Sequence, residues 1–260
     1  MSDASLTTRV LIVEDDVDIA DAIRDHLARA DVASEHAADA RTARGRILQG
    51  GIDLVLLDIM LPDSSGLEVC RALRNDGCTI PVIFLTAKSQ EDDLIRGLEA
   101  GGDDYVTKPF SANSLVARVK AHTRRWNDYR AESRTSSSEH STNPASLSDE
   151  SAQQIITLGT RTIDFAAGEI RRDNDAIDMT AKEHALLSVL VRRPNAVLTR
   201  DRLFAEVWGN EHFGDPGTVA VHIRRLREKL EDDPSSPKYL QTVRGLGYRF
   251  RPESNTGDQE

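Results

Sequence analysis

Asp53-Leu-Val-Leu-Leu-Asp58-Ile-Met-Leu-Pro62 decides the fold. Its apolar run, 54–57, shows no polar alternation, as suits a central parallel strand covered on both faces. Asp58 ends the run, and Pro62 with Asp63-Ser64-Ser65-Gly66 stops any continuation. In an open α/β sheet, ligands gather beyond the carboxyl ends of the strands. Asp58 is therefore expected on the rim of a crevice. Three other apolar runs deliver polar groups in the same way: Glu14-Asp15-Asp16 after 10–13, Thr86 after 82–85, and Lys108 after Tyr105-Val106. Acids, one hydroxyl and one amine converging on an aspartate suit a divalent cation and a phosphoryl group.

Outward from this stretch, strand and helix patterns alternate. Residues 9–14 read as a first strand, and Asp16 as the N-cap of a helix with the stripe Ile19, Ile23, Leu27. A weaker strand follows at 32–36 and a helix at 38–50. After Asp58 come a helix from Gly66 to about Arg74, a strand at 81–86, a helix at about 91–100, a short strand at 105–107, and a helix from Ser111 to about Trp126. Five such units imply a five-stranded parallel, doubly wound sheet with helices on both faces.

From Asn127 the apolar pattern fails, and residues 133–151 hold eight serines in nineteen positions. The 27 residues 127–153 read as a flexible Ser-rich linker, spanning about 30 Å as a random coil. Three short strands are expected at 155–158, 162–165 and 169–172. Thr180-Ala-Lys-Glu183 is a capping box before an apolar helix, and Thr199 opens a second helix, 200–208. Asp215-Pro216 supplies the N-cap and first position of a third, which buries Val219, Ile223, Leu226 and Leu230. Residues 239–250, turning at Arg244-Gly-Leu-Gly247, read as a β-hairpin, and 253–260 as a disordered tail. Two domains result, 1–126 and 154–252, with an α/β and an α+β pattern respectively.

The formal charge of −10 argues against a nucleic-acid protein, but it is unevenly spread. Residues 1–126 carry net −6, 127–153 net −3, 154–252 net +2 and the tail net −3. The positive charge of the second domain clusters at 224–229. Cys70 and Cys78 make no disulfide framework and read as reduced thiols. No apolar run approaches the ~20 residues of a membrane span, and the N-terminus lacks a basic-then-apolar signal segment. A cytoplasmic protein with no membrane partner is expected.

The ordered stretches 10–16, 53–66, 82–88 and 103–110 resemble the receiver domain of two-component response regulators, over about 8–126. Thr180–Leu187, Val207-Trp208-Gly209, Thr218–Leu230 and 242–250 are similar to the winged helix-turn-helix domain of the OmpR/PhoB group. The resemblance implies a flavodoxin-like receiver followed by a DNA-binding domain. It implies that Asp58 is the phosphoacceptor of a phosphorelay. Mg²⁺ would be bound by Asp15, Asp58 and the main-chain carbonyl of Met60, with Glu14 acting through water. Thr86, Tyr105 and Lys108 would contact the phosphoryl group or switch with it. Thr218, Val221, His222, Arg224, Arg225 and Arg227 on the third helix, with Thr242 and Arg244 on the hairpin, would contact DNA. Asp103, Asp104, Arg118 and Arg125 would line a receiver dimer. Implied partners are a sensor histidine kinase, double-stranded promoter DNA with direct repeats, a second copy on phosphorylation, and RNA polymerase. Beyond accepting and losing its own phosphoryl group, the chain would be no enzyme. It departs from the pattern at Gly217 and Ala220, where a basic or hydroxyl residue and an aspartate are usual, and at Leu94 and Ser114, where a basic–acidic pair is usual.

Taken singly, these residues have plainer explanations. Glu14-Asp15-Asp16 would be an acid-rich helix start, Asp58 a turn cap, Thr86 an ordinary strand end, and Lys108 or the third helix a solvated charged surface. Four polar groups in order at four strand ends outweigh those explanations. An aspartyl-phosphate phosphatase or phosphotransferase needs a second acid beside its nucleophile, and Leu57, Ile59 and Met60 offer none. A regulator that works without phosphorylation would have lost part of the acid–threonine–lysine set, and all of it is present.

Overall fold

A computed structural model of the chain describes residues 8–87, 97–135, 155–172, 175–209 and 217–252. Within them, the side chains at 125 and 127–135 are not described. The chain divides into two compact units at Asn127 and Asp128.

The first unit alternates β1 (Arg9–Val13), α1 (Val17–Ala28), β2 (Ala33–Ala37), α2 (Ala40–Leu48), β3 (Leu54–Asp58), α3 (Gly66–Asn75), β4 (Val82–Thr86), β5 (Asp104–Thr107) and α4 (Ala112–Thr135). All five strands are parallel, in the order β2-β1-β3-β4-β5. This is the doubly wound arrangement expected from the alternation. Every residue of β3 and β4 is buried, because successive side chains enter opposite cores. Leu11, Val13, Val55, Leu57 and Phe84 pack with α2 and α3. Val10, Ile12, Leu54, Leu56, Ile83 and Leu85 pack with α1 and α4. The strand order reverses between β1 and β3, so a crevice opens at their carboxyl ends. Glu14 and Asp58 stand there.

Asp16 caps α1 as expected, accepting from the N–H groups of Asp18 and Ile19 at 3.0 and 3.2 Å. The expected helix at 91–100 lies largely outside the described residues, with 97–99 helical. The expected end of α4 near Trp126 is corrected, because the helix runs to Thr135. Residues 127–135 lack an apolar stripe, yet contain no glycine or proline. Extending an existing helix fixes only one residue per hydrogen bond gained, so a segment without glycine or proline can continue it. The rest of the expected linker, 136–154, and the tail, 253–260, lie outside the described residues.

The second unit opens with four antiparallel strands: β6 (Ile155–Leu158), β7 (Arg161–Asp164), β8 (Glu169–Arg172) and β9 (Asp175–Asp178). The sequence pattern showed only the first three. Three helices follow, α5 (Ala181–Val191), α6 (Arg200–Trp208) and α7 (Gly217–Leu230), then the hairpin β10 (Leu240–Val243) and β11 (Gly247–Phe250). Thr180 and Glu183 complete the expected capping box on α5, and Thr199 caps α6. The expected cap at Asp215-Pro216 lies outside the described residues. One core joins the β6–β9 sheet, the three helices and the hairpin, and it contains Val219, Ile223, Leu226 and Leu230.

Candidate functional site

The crevice between β1 and β3 gathers three carboxylates. Oxygens of Glu14, Asp15 and Asp58 lie within 4.8 Å of one another. Glu14 and Asp58 are buried at the strand ends, whereas Asp15 is exposed at the start of the next turn. Glycine is required beside this point: a Cβ at Gly66 would overlap the carbonyl oxygen of Asp58. The opening turn of α3 is thereby drawn against the end of β3. Asp58 accepts through Oδ1 from the Met60 N–H at 3.0 Å. Its Oδ2 lies 2.7 Å from Lys108 Nζ, which also reaches Glu14 Oε2 at 2.5 Å.

Burial pushes the Glu14 carboxyl up to about 7, with the nearby Asp58 adding to the rise and Lys108 opposing it. Burial works against the Lys108 ammonium, but its hydrogen bonds to Asp58 and Glu14 outweigh this and raise its pKa. Hard oxygen donors in excess of the cations present suit a divalent cation such as Mg²⁺. Thr86 ends β4, buried, and its carbonyl accepts from the Lys108 N–H at 2.6 Å. Tyr105 is half-buried on β5, opposite Phe84. Met60 is 74% exposed at the mouth of the crevice.

Asp103 and Asp104, expected on a dimer face, are both buried. Asp103 accepts from Arg74 Nη2 at 2.9 Å and from the Val82 N–H at 3.0 Å. Asp104 Oδ2 pairs within the chain with Arg118 Nη1 at 2.9 Å and His122 Nε2 at 3.2 Å. The side chain of Arg125 lies outside the described residues.

In the second unit, the basic face of α7 is divided. Arg224 is open, with 63% of its side chain exposed beside Glu228. Arg225 turns inward instead, to Glu183 Oε1 at 2.8 Å, and Lys229 joins it at Glu183 Oε2, 2.7 Å away. Burial works against the Glu183 carboxylate, but the charges of Arg225 and Lys229 hold its pKa down at about 2. Arg227 donates to the Leu240 carbonyl and the Thr242 hydroxyl. His222 is fully buried, its ring 5.1 Å from that of Trp208. Thr218 and Val221 are also buried. Of the residues expected to contact DNA, Arg225, Arg227 and His222 each have a pairing or packing partner inside their own unit. Thr242 and Arg244 are exposed on the hairpin.

Residues 10–120 match the family described as the response regulator receiver domain, and residues 174–250 match the one described as transcriptional regulatory protein, C terminal. The chain belongs to the OmpR/PhoB family of response regulators. It is 30% identical to the response regulator DrrB, an OmpR/PhoB homologue from Thermotoga maritima, covering 94% of this chain and 99% of that one, with a TM-score of 0.45. It is 24% identical to the C128D mutant of RitR over 95% of this chain and 100% of that one, with a TM-score of 0.70. It is 33% identical to the receiver domain of the Francisella response regulator 1452, over 46% of this chain and 98% of that one, with a TM-score of 0.45. A receiver followed by a DNA-binding domain makes it a transcription regulator of the two-component type, for which a histidine kinase and DNA are the implied partners. Among the described residues, no helix is long and apolar enough to cross a membrane.

Reading the sequence missed two other residues. Arg74 binds the carbonyls of Gly101, Cys78 and Ile80 as well as Asp103, tying α3 to the approaches of β4 and β5. Glu231 stands in an acidic run, Glu231-Asp232-Asp233, that reads as solvated charge, yet it is 2% exposed. Its position four residues after Arg227 is the one sequence feature that points to a shared helix face.

Proposed function

We propose that a partner histidine kinase phosphorylates Asp58, and that phosphorylated chains pair and bind direct-repeat promoter DNA. One Asp58 oxygen attacks phosphorus, the P–N bond to the kinase imidazole breaks, and its electron pair leaves with the imidazole nitrogen. Phosphoryl transfer depends on positioning and charge neutralisation more than on covalent help. The observation that carries the reading is Lys108 Nζ, 2.7 Å from Asp58 and 2.5 Å from Glu14. The same ammonium can follow a phosphoryl oxygen once Asp58 carries the acyl phosphate. Thr86 would donate its hydroxyl to another phosphoryl oxygen, and Tyr105 would turn inward as Thr86 moves. Mg²⁺ held by Asp15, Asp58 and the Met60 carbonyl, with Glu14 through water, supplies further charge neutralisation when bound.

Receivers would pair through β5 and α4. Arg118 and Asp104, partners within one chain here, would exchange across a two-fold axis. Asp103, paired with Arg74 within the chain, would border that face. The effector domains would bind half-sites about one helical turn apart, ~10–10.5 bp. The protein would act in the cytoplasm and meet RNA polymerase at the promoter. The test is to treat wild-type chain and Asp58→Asn with a small acyl phosphate and Mg²⁺ and measure intact mass. Wild type should gain one phosphoryl group and the variant none; wild-type labelling of Asp58→Asn would remove the assignment.

A further inference from the structure

Antiparallel β-ribbons leave alternate main-chain groups pointing outward, away from the partner strand. In the hairpin β10–β11, Tyr239 O accepts from the Arg251 N–H at 2.8 Å. Leu240, opposite Phe250, therefore turns its own N–H and C=O outward. Buried main-chain groups need partners, and Arg227 of α7 with Glu231, the residue after its end, supply them. Glu231 Oε1 accepts from the Leu240 N–H at 2.7 Å and from the Tyr239 N–H at 2.9 Å, while Oε2 accepts from the Lys238 N–H at 2.8 Å. Arg227 donates to the Leu240 carbonyl from Nε at 2.9 Å and Nη2 at 2.7 Å, and Nη2 also reaches Thr242 Oγ1 at 2.8 Å. The planar guanidinium fixes this geometry in a way that a lysine ammonium cannot.

The other edge of the hairpin is anchored as well. Tyr248 exchanges two hydrogen bonds of 2.9 Å with Leu198, just before α6. A Cβ at Gly247 would overlap the Leu198 carbonyl oxygen, so this approach needs glycine. Helix α7 and the hairpin thus share one frame, with Arg244 exposed at the turn.

We propose that Arg227 and Glu231 are positioning residues for DNA reading. By gripping both main-chain groups of Leu240, they hold the hairpin turn at a set distance and angle from α7, so that major-groove and minor-groove contacts form together. This rests on the reading that α7 and Arg244 contact DNA. It assigns Arg227 no phosphate contact. Losing a phosphate contact weakens binding on every sequence and lowers the salt slope by about one. Losing the clamp should instead uncouple the preference for A·T-rich flanks, read through minor-groove width, from the preference for the core bases.

The test uses the full chain in binding-site selection and salt titration, comparing wild type, Arg227→Lys, Glu231→Gln and Arg244→Ala. Arg227→Lys keeps the charge and loses the fork; Glu231→Gln, at a residue outside the expected DNA contacts, weakens the grip on the Leu240 N–H, serves if the lysine variant does not fold, and should lower the same ratio. Partial unfolding would weaken binding equally on all duplexes and leave the ratio of flank preferences untouched. The expected result is that this ratio falls toward one in Arg227→Lys, as in Arg244→Ala, with core preference and salt slope retained. An unchanged ratio, or a uniform loss with a lower salt slope, would overturn the clamp. Absence of sequence-selective binding by wild type, or an Arg244→Ala variant that keeps its flank preference, would instead overturn the underlying reading of α7 and the hairpin.

Discussion

Replacing Glu183 by Gln removes a buried charge while keeping the shape of the α5 cap. The carboxylate accepts from the Thr180 N–H at 2.9 Å and pairs with Arg225 and Lys229 at 2.8 and 2.7 Å. Holding its pKa at about 2, from an ordinary 4.5, corresponds to about 3 kcal/mol of stability. Breaking a fully buried pair costs ~3–5 kcal/mol. Here Arg225 and Lys229 keep 11% and 21% of their side-chain exposure, so water can recover part of their solvation. A loss of about 2–3 kcal/mol at pH 7 is therefore expected. The folded pKa lies below the unfolded one, so the stabilisation is complete above pH 4.5 and disappears as pH falls toward 2. Urea unfolding of the full chain in a Trp126→Phe background would follow the buried Trp208. The variant should show a lower midpoint at unchanged slope, with a deficit constant from pH 7 to 5 and shrinking below 4.5. A deficit under about 1 kcal/mol at pH 7, or one that persists undiminished at pH 3, would refute the ion cluster as the clasp between α5 and α7.

Three further outcomes are expected. Met60 stands exposed two residues beyond Asp58 and has no group to orient an attacking water, so the acyl phosphate should be long-lived and Met60→Asn should shorten it; an unchanged half-life counts against this. Arg224 is the open arginine of α7, and Arg224→Ala should weaken binding on all duplexes with a salt slope lower by about one; a sequence-selective loss would point to base reading instead. Arg244→Ala should flatten the preference for A·T flanks and spare the core, which binding-site selection would show.

The receiver was legible because its strands are unambiguous: the run 54–57 has no polar member, and each polar group closes an apolar run. Strand order and crevice follow from that alternation. The second unit was legible at its caps, Thr180 and Thr199, and in the 4-3-4 apolar stripe of α7. The fate of the polar residues on α7 was not. His222 lies three residues after Val219 and four before Leu226, so it shares the core face, but charge and chemistry drew it to the surface reading. Arg225 and Arg227 look alike in sequence to Arg224, and only tertiary partners far along the chain, Glu183 and Leu240, separate them. Strand β9, Asp175-Ala-Ile-Asp178, is too short and acidic to show a period of two, and the neighbouring strand β8 supplies what propensity does not. The reach of α4 past Trp126 was hidden because a polar helix and a polar linker share a composition.

The central claim is that phosphorylation of Asp58 governs DNA binding. The direct measurement is the affinity of the full chain for its selected direct-repeat duplex, with and without an acyl phosphate donor and Mg²⁺, for wild type and Asp58→Asn. Phosphorylated wild type should bind more tightly than the untreated chain, while Asp58→Asn should show no response to the donor. Equal affinity of treated and untreated wild type, at verified stoichiometric phosphorylation, would contradict the account.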